Sequence, residues 1–354
     1  MHRTEDDWLD PAWDWHALRR EPRAMWPNSV MEQVVPTEER LYFPMGQPCL
    51  LQTNDTALLL AADETYGRFA RVRPAPGPPL LFRLFVHDPG AAPDCTHQPV
   101  VYRTHGDLLY VSCGAGSTAV ADLVRGRAFG FVTPAVASNA ALVRYAFLDS
   151  VILSLLCTAR GFAGYHAACV VKGEQSAILC GDAGAGKSTL AFACVRRGYR
   201  VLAEDGLFFR MVDGHPRLWG MPWHLHLLPD SKDLFPELAG EEPRLQVNGE
   251  WKLEVDPERY YPGSTATDAE AGIVLILERD GGSSPTRIDP IAPALARERL
   301  QEQWPWWVGW SDEIEWGIER LYAGGAYRLQ MNGSPSQAVD ALDALLAEPG
   351  RVHP

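Results

Sequence analysis

None of the seven cysteines (Cys49, Cys95, Cys113, Cys157, Cys169, Cys180, Cys194) forms a C-x-x-C pair, and their number is odd. That argues against a disulfide framework and for free thiols in a reducing compartment. Positive charge is also scarce: 32 Lys and Arg face 45 Asp and Glu, a formal net charge of −13. A protein that grips a phosphate backbone needs a basic footprint, so no nucleic-acid partner is expected; a local basic pocket is still compatible with this balance. Residues 1–15 are acidic and Trp-rich, without a basic stretch leading into an apolar run, so no signal peptide is expected. The longest apolar stretch, Ala146 to Val171, is broken by Asp149, Arg160 and His166. A bilayer span of about 20 residues tolerates few charges, so this stretch reads as a buried helix followed by a strand. No membrane partner is expected, and the reading is of a cytoplasmic protein.

What is present is enough for a sizeable core. A chain of 354 residues, 46% of them hydrophobic, suits two domains or one large domain with a lobe. The first third is punctuated by Pro and Gly, with apolar runs at Ala57–Leu60 and Leu80–Val86. Val100–Arg103 and Leu108–Ser112 flank His105-Gly106-Asp107 as a hairpin would, and two more strands are expected around Arg125-Gly126-Arg127. This predicts a small β-rich lobe over residues 1–137, closing near Pro134. From Ser138 the pattern changes to a helical stripe (Leu142, Ala146, Val151, Leu155, Leu156) that ends at Gly161. Strands are then expected at Tyr165–Val171, Ser176–Cys180, Tyr199–Leu202, Gly272–Leu277 and Tyr327–Met331, and a hairpin around Asp213-Gly214. Helices are expected at Lys187–Arg197, Pro293–Gln303 and Gln337–Ala347. Mixed strands and helices of this kind predict an α/β (α+β) domain over residues 138–354.

Gly181-Asp182-Ala183-Gly184-Ala185-Gly186-Lys187-Ser188 matches G-x-x-x-x-G-K-[ST] at every fixed position. Each residue type has a physical job. Glycines let successive backbone N–H groups turn inward around phosphates, where a Cβ would intrude. Lys187 reaches the β- and γ-phosphates, and Ser188 offers a hydroxyl to magnesium. The helix that begins here, carrying Thr189 in its first turn, points its positive dipole end at the anion. An apolar strand precedes the loop and a helical pattern follows it, as that mechanism requires. The loop therefore implies a nucleoside triphosphate with Mg2+.

Glu204-Asp205 directly follows a strand, at the carboxyl end where sheet enzymes place their ligands. Carboxylates there can hold magnesium or take a proton from an attacking hydroxyl. His166 heads the strand before the phosphate loop; a lone histidine beside an apolar strand is more often simply packed. The three segments Tyr165-His166-Ala167-Ala168-Cys169, Gly181–Ser188 and Arg197-Gly198-Tyr199-Arg200-Val201-Leu202-Ala203-Glu204-Asp205 together resemble the catalytic core of the HPr kinase/phosphorylase family, with spacings that agree without a gap. The resemblance implies a fold related to phosphoenolpyruvate carboxykinase and ATP-dependent phosphorylation of a serine hydroxyl. It implies that Lys187 and Ser188 bind phosphate and magnesium, that Asp205 is the general base, that Glu204 stands where the family has its first Asp, and that His166 is the active-site histidine. The family's hexameric habit implies, by analogy, a homo-oligomer.

The close match spans only about residues 165–210. The family's E-[IV]-R-G run is missing, and the corresponding stretch reads Leu218-Trp219-Gly220-Met221-Pro222-Trp223-His224-Leu225-His226. Phosphorylase activity, and HPr as the substrate, are therefore not expected. The downstream layout, with Lys252-Leu253-Glu254-Val255, is more loosely similar to HPr-kinase-related proteins of peptide biosynthetic clusters, including kinases of lasso-peptide precursors. His224 and His226 lack a third ligand at metal spacing and read as strand-face residues near the substrate opening. Lys252, after Asn248-Gly249-Glu250-Trp251, could reach a phosphate, although an exposed lysine more often does nothing specific, and Trp304–Trp310 reads equally as a lid or docking surface or as a packed loop. The expected activity is transfer of the γ-phosphoryl group of ATP to a Ser/Thr hydroxyl on a peptide or protein. The alternatives are a small-molecule hydroxyl as acceptor and an ATP-binding sensor that transfers nothing.

Overall fold

The computed structural model describes residues 35–71, 77–87, 99–114, 116–246, 249–279, 285–302 and 312–347. The chain forms two compact units, Met1–Gly161 and Phe162–Pro354. The first contains β1 (Glu38–Tyr42), β2 (Cys49–Thr53), α1 (Thr56–Thr65), β3 (Leu80–Val86), β4 (Val100–His105), β5 (Leu108–Cys113), β6 (Ser117–Asp122), β7 (Arg127–Val132) and α2 (Ser150–Arg160). Its strands form one sheet in the order β1-β2-β3-β7-β6-β5-β4. The β4–β5 hairpin turns at Gly106, whose φ of 55° is a left-handed conformation that glycine adopts without strain. The apolar run at Ala57–Leu60 is part of a helix, because Asp55 accepts a hydrogen bond from Ala57 N and caps its start.

The boundary expected at residue 137 moves to Gly161. Helical structure extends over Ala140–Arg160, and the buried Val151, Ile152, Leu155 and Leu156 turn α2 toward β3, β5 and β6. The helical stripe thus belongs to the first unit's core. By length and composition this stretch could cross a membrane, but half of it is buried inside the protein. It ends on Gly161 at φ 68°, a left-handed C-terminal stop.

In the second unit β8 (Ala163–His166), β9 (Ala168–Lys172) and β10 (Gln175–Cys180) lead into α3 (Lys187–Arg196). Then come β11 (Arg200–Ala203), β12 (Gly206–Val212), β13 (His215–Gly220), β14 (Leu225–Leu227), β15 (Arg244–Leu245), β16 (Trp251–Val255), β17 (Asp268–Glu270), β18 (Ile273–Glu278) and β19 (Arg287–Pro290). The last elements are α4 (Pro293–Glu302), α5 (Asp312–Leu321), β20 (Ala326–Gln330) and α6 (Pro335–Leu346). Among the described residues these strands form three sheets, β11-β9-β10-β18-β20-β19, β17-β13-β12-β8 and β14-β16-β15. The unit is a mixed α/β structure.

The central strands of the six-stranded sheet are continuous apolar runs because both faces are covered. Ala168, Val170, Ala177, Leu179, Leu275 and Leu277 pack under α3 and α6 with Leu190, Phe192, Val339 and Leu342. The alternate residues Cys169, Val171, Ile178, Cys180, Val274 and Ile276 face the four-stranded sheet and the helices α4 and α5, against Tyr165, Leu207, Phe209 and Leu300.

The expected single strand Tyr165–Val171 is divided at Ala167. β8 pairs with β12 in one sheet and β9 pairs with β10 and β11 in the other. The Ala167 N–H donates to Tyr165 O at 3.0 Å, and that tight turn carries the chain from one sheet to the next. The chain crosses back between β11 and β12, through Glu204-Asp205. Beyond that crossing, the β12–β13 hairpin turns through Asp213 and Gly214 at φ 50° and 82°, as a two-residue turn with both φ positive requires.

Candidate functional site

The phosphate loop leaves the carboxyl end of β10 and becomes α3, with Gly186 as the residue before its first turn. Gly184 and Gly186 have φ values of 80° and 100°. A Cβ on Gly186 would lie 2.9 Å from the Arg279 guanidinium and 3.0 Å from Met331 Cε, the mobile ends of flexible side chains, so it is the conformation rather than the space that demands glycine there. No side chain caps the start of α3, whereas Asp55 caps α1 and Ser334 caps α6 with a capping box. The first N–H groups of α3 are thus left to another acceptor, as a phosphate cradle needs. Lys187 is buried and its Nζ donates to Gly181 O at 2.7 Å and Asp182 O at 3.3 Å, which holds the ammonium across the mouth of the loop. Asp182, Ala183 and Gly184 are exposed, and Thr189 is half-buried in the first helical turn.

The structure brings the remaining sequence-predicted residues to this loop. Ser188 Oγ donates to Glu204 Oε1 at 2.5 Å. Asp205 Oδ1 lies 3.1 Å from His166 Nδ1, because β8 and β12 pair His166 with Gly206, one residue beyond the acid. The two neighbouring carboxylates face different surroundings. Glu204 is 9% exposed. Burial alone would raise its pKa, but the hydrogen bond and charge of His226, with Ser188 adding to them, hold it below the ordinary carboxylate value. Asp205 has 60% of its side chain exposed. Its pKa is nonetheless raised, by partial loss of solvent and by the negative charge of Glu204, against the opposing pull of His166, Lys187 and Lys252. One carboxylate is kept ionised and the other is made more basic.

In the sequence His226 reads as a strand-face residue near the substrate opening, with no part in the site itself. Its Nδ1 lies 3.2 Å from Glu204 Oε2. Burial lowers its pKa, but the Glu204 hydrogen bond and charge and the nearby Glu254 outweigh burial and raise it. His226 lies in β14 opposite Glu254 of β16, while His224 precedes the strand with Nδ1 3.5 Å from Glu254 Oε1. The two histidines thus serve different carboxylates. Lys252 projects from β16 two residues from Glu254, with Nζ 2.9 Å from Glu250 Oε2. Trp304–Trp310 lies outside the described residues.

No protein-family model matches the chain, and no curated protein matches it. Among solved structures it is similar to the HPr(Ser) kinase/phosphatase from Coxiella burnetii, with 13% identity over 52% of this chain and 87% of that one. The TM-score is 0.28, a distant and loose likeness that leaves the chemistry to be argued from the residues themselves.

Proposed function

We propose that this chain is an ATP- and Mg2+-dependent kinase of the HPr-kinase type, with a core related to phosphoenolpyruvate carboxykinase, and that it phosphorylates a serine or threonine hydroxyl on a peptide or protein. The observation that carries the reading is the convergence on one phosphate loop of a buried ionised carboxylate and an exposed basic one. The first is Glu204, bonded to Ser188, and the second is Asp205, beside His166.

The donor set fits magnesium. Ser188 Oγ and Glu204 Oε1 are hard oxygens already side by side, and the lowered pKa of Glu204 keeps it charged. Among the described residues no group of three or more His, Cys, Asp or Glu is placed to cage a metal. Magnesium suits such a site, since it is held by one or two protein oxygens plus substrate phosphates. When bound it would neutralise charge on the phosphates.

The chain's own residues account for the rest. The loop N–H groups and Lys187 hold the triphosphate and offset the negative charge that builds on the moving phosphoryl group. Asp205 takes the proton of the acceptor hydroxyl as the oxygen–phosphorus bond to the acceptor forms and the bond from the γ-phosphorus to the bridging oxygen of ADP breaks. Its raised pKa suits a base, and His166 fixes the direction its carboxylate faces. His226 keeps Glu204 ionised and oriented.

The test is incubation with γ-labelled ATP, Mg2+ and an array of Ser/Thr peptides, comparing wild type with Asp205→Asn. Label should enter peptide, and the variant should keep nucleotide binding while transfer falls at least about a hundredfold. Undiminished transfer would remove Asp205 from the role of base. Label in added small hydroxyl compounds alone would move the acceptor class. Neither label nor ADP release would leave a nucleotide sensor.

A further inference from the structure

The seven-stranded sheet of the first unit has two rims, β1 and β4, and they are built differently. β1 carries Glu38, Glu39 and Arg40 in succession, and Arg40 pairs with Asp63 of α1. Charge along a rim is a common guard against pairing with another chain. β4 reads Val100-Val101-Tyr102-Arg103-Thr104-His105, with one guanidinium, no proline and no bulge in its register with β5. Lysine, the usual guard of a free rim, is absent from the whole of residues 1–161.

The two-residue turn at Gly106-Asp107 decides which way the backbone of β4 faces. Beside such a turn His105 and Leu108 exchange both hydrogen bonds, and the alternation then directs Val101 and Arg103 to β5 as well. The N–H and C=O groups of Val100, Tyr102 and Thr104 therefore point off the rim, and among the described residues none of them has a partner. Every residue from Val101 to His105 is exposed. Apolar surface flanks the rim on both sides. Tyr102 hydrogen-bonds Ser150 beside the exposed Tyr145 on the face that α2 covers, and Val101 and Tyr110 are exposed on the other.

We infer that β4 is the contact surface for a second copy of this chain, pairing antiparallel with its own counterpart so that the two sheets run on as one. The inference does not depend on the kinase reading. Outward groups must meet outward groups, which leaves few registers. With Tyr102 opposite Tyr102 of the copy, Val100 meets Thr104 and Val101 meets Arg103. No like charges oppose one another, and the centre holds an aromatic pair flanked by β-branched side chains, which stabilise such a ladder. A shift of two residues toward the turn sets Arg103 against its own copy, which is unfavourable. The same shift the other way shortens the ladder. Charge does not oppose the approach either: residues 35–161 hold ten arginines and ten acids, so the excess negative charge lies elsewhere in the chain.

The experiment is light scattering on the full chain from about 1 to 200 µM, for wild type and Thr104→Pro. An interface made of one rim is small, so a Kd on the order of 10 µM is expected, with the mass rising from 39.2 kDa toward twice that value. Thr104→Pro removes an outward N–H and leaves the bonds to β5 in place, so it should weaken pairing at least about tenfold with circular dichroism unchanged. Tyr102→Cys sets a thiol opposite its copy. An added oxidant should link that variant into a dimer, and should not link Arg103→Cys, Thr104→Cys or wild type. A wild type that keeps the mass of one chain throughout overturns the inference. So does a dimer that survives Thr104→Pro and gives no link through Tyr102→Cys, because its interface then lies elsewhere. If Thr104→Pro loses its circular dichroism the cysteine variants decide, and a link through Arg103→Cys in place of Tyr102→Cys overturns the pairing.

Discussion

Two carboxyl groups, one in each unit, sit beside a hydroxyl away from water and behave in opposite ways. In the first unit Asp149 accepts a hydrogen bond from the buried Tyr66 hydroxyl at 2.7 Å. Burial nevertheless raises its pKa to about 6, since the bond and the charge of Arg144 only partly offset the loss of water. In the second unit Glu204 accepts from Ser188 at 2.5 Å and is as deeply placed, yet its pKa is lowered. The difference is His226, a hydrogen-bonding partner that can carry positive charge. A hydroxyl alone does not offset the rise that burial imposes on a carboxyl pKa, and an imidazole in contact does. Asp149 reads as part of the packing under α1 and α2, while Glu204 is kept charged, as the proposed Mg2+ site would need.

That contrast can be broken at its strongest point first. Glu204→Gln keeps the shape and removes the charge, so Mg2+-dependent ATP binding should fall at least a hundredfold, on the order of 3 kcal/mol. A titration showing unchanged Mg2+ dependence would mean that Glu204 is only packed. Next is Asp149→Asn. Because the folded pKa of Asp149 is raised, its folded state holds more protons than the unfolded state between about pH 4 and pH 6, and stability should fall as pH rises through that window. The asparagine variant should abolish that fall, a change on the order of 3 kcal/mol, and should be no less stable than wild type at pH 7. Denaturant melts at a series of pH values read this directly, and an unchanged profile would put Asp149 among ordinary solvated acids. The smallest effect is expected from His226→Gln, which keeps a donor and loses the charge. Mg2+ affinity at neutral pH should drop about tenfold, as for other residues that orient a metal ligand. If it matches Glu204→Gln instead, His226 is itself a ligand.

Much of the site was legible because it is local in sequence. The Gly181–Ser188 loop is a strand, a turn and a helix in succession, and its glycines, Lys187 and Ser188 take their places by position within that unit. Glu204-Asp205 could be placed because it ends the next strand after α3. What stayed hidden depends on pairing over long separations. The contact of His226 with Glu204 arises from where β14 and β16 pack, which no periodicity encodes. Arg279 and Met331 come beside Gly186 only because β18 and β20 add in parallel to β10. The division at Ala167 was invisible for a simpler reason: both sheets bury their strands, so β8 and β9 read as one apolar run. The same ambiguity hid the boundary at Gly161, since an apolar helical face does not reveal which sheet will cover it.

The two crossings between sheets, at Ala167 and at Glu204-Asp205, lie side by side and are joined by the contact of His166 with Asp205. They act like two stitches in one seam. A residue inserted at either crossing that was not bulged out would slip a strand of one sheet by one residue and turn its buried side chains toward the wrong face. Length variation, which surface loops absorb easily, should therefore be forbidden here even though Asp205 is open to solvent. The spacing between acid and histidine is a property of how the sheets are sewn together, so it should persist through sequence change that alters nearly everything around it.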